Sequence, residues 1–111
     1  MNDLSDNMEI SVRAAERMRS ENADTVFLDV REDAELAICS IAGALHVPMG
    51  EIGRAATSLP KAKPLVVLCH HGMRSLHVTR FLREHGFDQA VSMSGGIEAW
   101  ACEVDASVLR Y

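Results

Sequence analysis

A single cysteine opens the segment Cys69–Ser75, between an aliphatic run and a stretch with helical spacing. The thiolate form of cysteine is the reactive nucleophile. A tight loop that enters a helix points several backbone N–H groups at one spot, and the helix dipole adds partial positive charge there. The pattern therefore predicts that Cys69 is a stabilised thiolate in an anion-binding turn, suited to a sulfur, phosphate or arsenate substrate. An ordinary buried core cysteine is the alternative.

The residues that follow Cys69 suit such a loop. Gly72 allows the backbone to turn sharply, and Ser75 can cap the helix that follows. Residues 69–86 contain three arginines and four histidines against a single acid, Glu84, in a chain whose formal net charge is −5. The local basic charge predicts an anionic substrate, whereas the acidic balance of the chain argues against nucleic acid as a general partner.

The elements that must position this loop follow from hydrophobic spacing. A short aliphatic and β-branched run predicts a strand buried on both faces, and apolar residues at i, i+3, i+4 and i+7 predict a helix that stops at Gly86. Along the whole chain, strands are predicted at about 25–30, 44–47, 65–69 and 90–93. Helices are predicted at about 11–20 (capped by Ser11), 33–39, 50–58 and 75–85, with a last helical turn from Gly95-Gly96.

Strands and helices thus alternate with short connections, which predicts an α/β fold with a mostly parallel sheet and helices on both faces. Sites in such folds lie at the carboxyl ends of the strands. Asp29 and Arg31 follow one predicted strand, and we expect them to pair with each other or with backbone and hold this edge. Gly95-Gly96 follows another and could approach Cys69.

Length and composition set limits on the kind of protein. The 111 residues, 48% of them apolar, predict one soluble domain over residues 1–111, and no run is long enough to span a membrane. The loose polar start at residues 1–8 lacks the basic and apolar regions of a signal peptide. Three cysteines without a C-x-x-C pair favour a reducing compartment, with Cys39 and Cys102 as ordinary core or surface residues. We therefore expect a cytoplasmic protein.

Five motifs occur in one order along the chain: Leu28–Glu32, Ile41–Pro48, Cys69–Ser75, Leu82–Phe87 and Ser94–Trp100. In this order and spacing the chain resembles the single-domain rhodaneses, a family of sulfurtransferases, over about residues 10–108. The resemblance implies a central, mostly parallel five-stranded sheet flanked by helices. It also implies that thiosulfate or a persulfide donates a sulfane sulfur to Cys69, and that cyanide or a thiol then accepts the sulfur from the Cys69 persulfide.

The same resemblance implies which residues serve the reaction. Cys69 is the catalytic residue, Asp29 and Arg31 support the site, and no metal or organic cofactor is required. The loop that binds substrate and persulfide comprises His70, His71, Gly72, Met73, Arg74 and Ser75. The partners are then a small anionic sulfur donor, a thiol or cyanide acceptor and, in some reactions, a persulfide-bearing protein.

Other functions remain open beside this one. A rhodanese-like domain can be a non-catalytic binding or regulatory module, or a carrier in a sulfur relay. Phosphatases and arsenate reductases related to the family carry one residue more than the four between Cys69 and Arg74, because a tetrahedral oxyanion needs a wider ring of N–H groups. The spacing of four residues between Cys69 and Arg74 therefore favours a sulfur substrate over a phosphate or arsenate substrate.

One residue departs from the family pattern. Many members that use thiosulfate have arginine directly after the cysteine, whereas this chain has His70. An imidazole titrates near neutrality and a guanidinium does not, so we expect weaker and more pH-dependent attraction for a dianion. A persulfide on another protein, or a small persulfide, is then as reasonable a donor as thiosulfate.

Overall fold

A computed structural model describes residues 8–111, so most of the predicted polar start at residues 1–8 lies outside the described residues. The strands are β1 (Glu9–Ile10), β2 (Val26–Asp29), β3 (Leu45–His46), β4 (Leu65–Leu68) and β5 (Ala90–Met93). The α-helices are α1 (Val12–Glu21), α2 (Asp33–Leu36), α3 (Ile52–Ala55), α4 (Met73–Glu84) and α5 (Gly96–Glu103). Short 3₁₀ turns at Met49–Glu51 and Ala56–Ser58 flank α3.

The strands form one sheet in the order β1-β5-β4-β2-β3, and every neighbouring pair is parallel. The predicted α/β fold with a mostly parallel five-stranded sheet is therefore confirmed. The central strand β4 is buried along its whole length, as its aliphatic sequence predicts. Because the strands are parallel, the chain leaves β2, β4 and β5 at the same edge of the sheet.

Helices cover both faces of the sheet, since alternate residues of β4 belong to different cores. Leu65 and Val67 lie in a cluster with Ile52, Val78 and Leu82 of α3 and α4. Val66 and Leu68 lie in the other cluster, with residues of α1 and α5: Val12, Ala15, Ile97 and Trp100. This two-sided packing fixes β4, and with it the position of the residue that follows.

The structure corrects several sequence predictions. Ser75 does not cap α4, because that helix begins two residues earlier than predicted, at Met73, with Gly72 at the cap position. The predicted helix at 33–39 ends at Leu36, and the predicted helix at 50–58 divides into a 3₁₀ turn, α3 and a second 3₁₀ turn. The predicted last turn is an eight-residue helix, α5. Within residues 8–111, no helix is long and apolar enough to cross a membrane.

Candidate active site

The loop between β4 and α4 surrounds the sulfur of Cys69. Cys69 is 1% exposed, and its Sγ accepts hydrogen bonds from the backbone N–H groups of Gly72 (3.1 Å) and Ser75 (3.3 Å). The turn that aims them has Gly72 in the left-handed region, at φ +109°. These two N–H groups, at the start of α4, can stabilise negative charge on this sulfur.

A chain of buried hydroxyl groups reaches the same sulfur. Ser75 Oγ lies 3.5 Å from Cys69 Sγ and 2.8 Å from Ser92 Oγ, and it donates to the carbonyl of Gly72 at 3.1 Å. Ser75 and Ser92 are both fully buried. A hydroxyl donates one proton and accepts two, so Ser75 can accept from a Cys69 thiol or rotate to donate to a thiolate. Ser92 Oγ can donate to Ser75 Oγ or accept from it, so the two hydroxyl groups stay hydrogen-bonded in both orientations of Ser75.

The first turn of α5 fixes the loop from the other side. The N–H groups of Ile97 and Glu98 donate to the carbonyls of Cys69 (2.9 Å) and His70 (3.1 Å). Gly96 lies at φ +62°, and a Cβ there would collide with the His70 carbonyl oxygen and lie 2.5 Å from that of Cys69. Only glycine fits this contact.

The guanidinium of Arg74 pairs with a carboxylate from α2. Its Nη1 and Nη2 donate to the two oxygens of Glu35 at 2.7 and 2.8 Å, and the side chains are 32% and 20% exposed. This bidentate pair raises the pKa of Arg74 and holds the pKa of Glu35 far below its usual range. Glu35 thus neutralises the arginine that the spacing argument placed in the loop.

Asp29 and Arg31 form a buried ion pair where β2 ends. Arg31 Nη2 lies 2.7 Å from Asp29 Oδ2, and both side chains are almost entirely buried. Burial by itself lowers the pKa of Arg31, but hydrogen bonds with Asp29 and Tyr111 outweigh that effect and raise it. Arg31 also donates to the carbonyls of Glu35 (3.3 Å) and Cys39 (2.8 Å), so the pair holds the chain after β2 in place.

Two aromatic residues contact the ring of His70. The Tyr111 ring stacks on it with centroids 3.8 Å apart and planes 7° apart, and the His71 ring lies at 3.9 Å. His70 Nε2 is a buried nitrogen without a hydrogen-bond partner. Burial and the neighbouring charge of His71 both lower the pKa of His70. The imidazole next to Cys69 is therefore favoured in its neutral form.

The predicted site residues thus occupy different places. Gly72 and Ser75 contact the Cys69 sulfur, whereas His71 and Met73 lie on the exposed side of the loop, with Met73 84% exposed. Three participants were not predicted: Glu35, Ser92 and Tyr111. Glu35 carried a weak signal, since it belongs to the charged cluster after β2, but neither of the others stands out in the sequence.

The remaining cysteines lie outside the cradle, by which we mean the backbone N–H groups of Gly72 and Ser75 and the Ser75 hydroxyl around Cys69 Sγ. Cys39 is half-buried, with Arg31 Nη1 at 3.9 Å from its Sγ, and Cys102 is exposed. All three cysteines are free thiols. Among residues 8–111, no group of three or more His, Cys, Asp or Glu side chains could hold a metal ion.

Comparison with known proteins gives consistent matches. The family model of the rhodanese-like domain matches residues 11–103. The protein YtwF of Bacillus subtilis is 39% identical over 95 residues, which cover 86% of this chain and 91% of YtwF. The thiosulfate sulfurtransferase GlpE of Coxiella burnetii is 38% identical over 77 residues, covering 69% and 72% of the two chains. A solved rhodanese-related protein of Thermoplasma volcanium superposes with a TM-score of 0.77 at 31% identity, over 86% of this chain and 92% of that one.

Proposed function

Because this chain belongs to the rhodanese-like domain family and is a rhodanese-type sulfurtransferase, we propose that it moves a sulfane sulfur through a persulfide on Cys69. The observation that carries the proposal is the convergence of two backbone N–H groups, from Gly72 and Ser75, on the Cys69 sulfur at 3.1 and 3.3 Å. A sulfur anion is the species that such a cradle stabilises.

The reaction takes place in two displacements. The Cys69 thiolate attacks the outer sulfur of the donor, a new S–S bond forms, and the donor's own bond to that sulfur breaks. Sulfite leaves with the electron pair when thiosulfate is the donor, and a thiolate leaves when a persulfide is. Cyanide or a thiolate then attacks the outer sulfur, and the Cys69 thiolate departs and is regenerated.

The loop from His70 to Ser75 binds the reacting sulfur. Gly72 and Ser75 supply N–H donors already in place, so little reorganisation is needed when charge develops. The Ser75 hydroxyl supplies a third donor to the anion by rotating away from the Gly72 carbonyl. Asp29 and Arg31 support the site by holding α2 and Glu35, which in turn holds Arg74.

Intact mass measurement tests the first displacement. The protein is incubated with thiosulfate or, in a parallel sample, with a small persulfide, and is then treated with cyanide. We expect an adduct of one sulfur atom on Cys69, which cyanide removes as thiocyanate. Cys69→Ser should abolish both the adduct and turnover, while Cys39→Ser and Cys102→Ser, which lie outside the cradle, should retain them.

Two results would count against the proposal. An adduct that persists in Cys69→Ser would place the chemistry on another thiol. A wild-type protein that takes up sulfur from neither donor would favour the alternative of a non-catalytic binding module. The comparison of the two donors also shows which of them the wild-type site, with His70 after the cysteine, accepts faster.

A further inference from the structure

The segment after α5, residues 104–111, returns to the candidate site; we call it the strap. Arg110 binds Glu98 of α5, with Nη2 2.6 Å from the carboxylate. Tyr111 then contacts the edge of the sheet, where its hydroxyl accepts from Arg31 Nη1 and donates to Glu35 Oε2, both at 2.8 Å. Tyr111 as a whole residue is 38% exposed, so its contacts lie at the protein surface.

Tyr111 reaches the Cys69 loop by two routes. Its ring stacks on His70, the residue directly after the cysteine. Its hydroxyl binds the same Glu35 oxygen that accepts from Arg74 Nη2, so the phenol and the guanidinium share one carboxylate. One side chain thus supports both ends of the loop that carries the N–H donors.

We propose that Tyr111 is a positioning residue for sulfur transfer. Its ring fixes the His70 imidazole, and its hydroxyl fixes Glu35 and thereby Arg74, so that the loop keeps its N–H groups directed at the Cys69 sulfur. The effect on catalysis rests on the proposed function. The positioning itself rests on the stacking of Tyr111 on His70 and on the Glu35 carboxylate that Tyr111 shares with Arg74.

The groups around His70 determine how its ionisation would respond. His71 lies against the ring and opposes a second positive charge, whereas the carboxylates of Glu35 and Glu98 and a backbone hydrogen bond with Tyr111 favour the charged form. Burial is the largest influence and lowers the pKa of His70. Removal of the Tyr111 ring exposes the imidazole, so the pKa of His70 should rise toward its ordinary value of 6.5.

Two variants separate the two routes, and a third is a control. Tyr111→Leu removes both the stack and the hydroxyl, Tyr111→Phe keeps the stack alone, and Leu109→Ala changes a 65% exposed neighbour on the strap. We expect Tyr111→Leu to slow persulfide formation about five- to tenfold and to raise the pKa of His70 measured by proton NMR. Tyr111→Phe should keep the His70 pKa and ring-current shifts and stay within about twofold in rate. Leu109→Ala should match the wild type in both.

A donor-independent readout keeps this inference separate from the proposed function. Iodoacetamide needs no sulfur donor, and its reaction at Cys69 is followed in a background of Cys39→Ser and Cys102→Ser, which removes the other two free thiols. A protein that is alkylated at Cys69 but takes up no sulfur overturns only the proposed function. Equal alkylation rates in the wild type and Tyr111→Leu would overturn the positioning role. A slowed Tyr111→Leu whose His70 pKa and chemical shifts stay unchanged would overturn it as well, because the loss would then come from general destabilisation.

Discussion

Gly96→Ala tests whether the close contact between α5 and the Cys69 loop is required. A Cβ at this position would collide with the His70 carbonyl oxygen and lie 2.5 Å from that of Cys69. Those are the two carbonyls that accept from Ile97 and Glu98, so the loop must move away and both hydrogen bonds are lost or weakened. The substitution therefore displaces the peptide group of Cys69, the proposed nucleophile.

The expected loss of stability follows from three contributions. Alanine at φ +62° costs about 1–2 kcal/mol, and two weakened hydrogen bonds cost about 1 kcal/mol each. The smaller entropy of the unfolded chain offsets about 0.4–1 kcal/mol. The free energy of unfolding should thus fall by about 3 kcal/mol, which a domain of ordinary stability survives.

Two other glycines provide matched controls. Gly43 has a positive φ of +82° but open space around it, so Gly43→Ala should cost only about 1 kcal/mol. Gly53 lies inside α3 with open space and no positive φ, so Gly53→Ala should stabilise the protein by about 0.5–1 kcal/mol. The difference between the stability losses of Gly96→Ala and Gly43→Ala therefore isolates the cost of the collision with the Cys69 loop, because both glycines have a positive φ.

Urea unfolding followed by the fluorescence of the buried Trp100 measures these changes, and the rate of sulfur uptake reports on the loop. Gly96→Ala should transfer sulfur at least about tenfold more slowly at a urea concentration where it is fully folded. If Gly96→Ala lost no more stability than Gly43→Ala and transferred sulfur at the wild-type rate, the contact would not position Cys69 and the reasoning would fail.

Three further substitutions have defined outcomes. Glu35→Gln should lower the free energy of unfolding by about 1 kcal/mol above pH 4.5. The loss should shrink as the pH falls below 4.5, because the pKa of the Glu35 carboxyl is depressed in the folded protein. As a control, Glu103→Gln at an exposed position should cost almost nothing in the same urea titration. Ser75→Ala should slow iodoacetamide alkylation of the site cysteine about threefold; an unchanged rate would remove the hydroxyl from the cradle. His70→Arg should raise kcat/KM for thiosulfate relative to a small persulfide, and an unchanged ratio would show that charge at this position does not limit the donor.

Sequence patterns were most reliable where the determining interactions are local. Ser11 caps α1 as predicted, since its side chain accepts from the N–H of Ala14 three residues on. The buried strand β4 follows from four adjacent aliphatic residues, and α4 ends just before Gly86 because that glycine takes a left-handed conformation. Strand β1 has only two residues, too few to show a period, so it was not predicted from spacing.

The interactions that support the loop could not be predicted because they join distant segments. Glu35 and Arg74 are 39 residues apart, and Tyr111 is 76 residues from Glu35. Ser92 contacts Ser75 because β5 lies next to β4 in the sheet and packs against α4. That neighbourhood depends on the strand order, which the sequence does not show. A serine in a strand and a tyrosine in an irregular segment carry no local pattern that would reveal these contacts.

Several basic side chains of residues 69–86 have defined partners or surroundings in the folded protein. Arg74 is neutralised by Glu35, Arg83 donates to the carbonyl of Ala90 at 2.8 Å, and burial and His71 disfavour the charged form of His70. The backbone N–H groups of Gly72 and Ser75 and the start of α4 add a fixed positive potential at the sulfur, beside that of the side-chain cations. Fixed dipoles in a buried turn are screened less than exposed charges and do not titrate. They favour a small anion at one point, which is what a terminal persulfide sulfur requires.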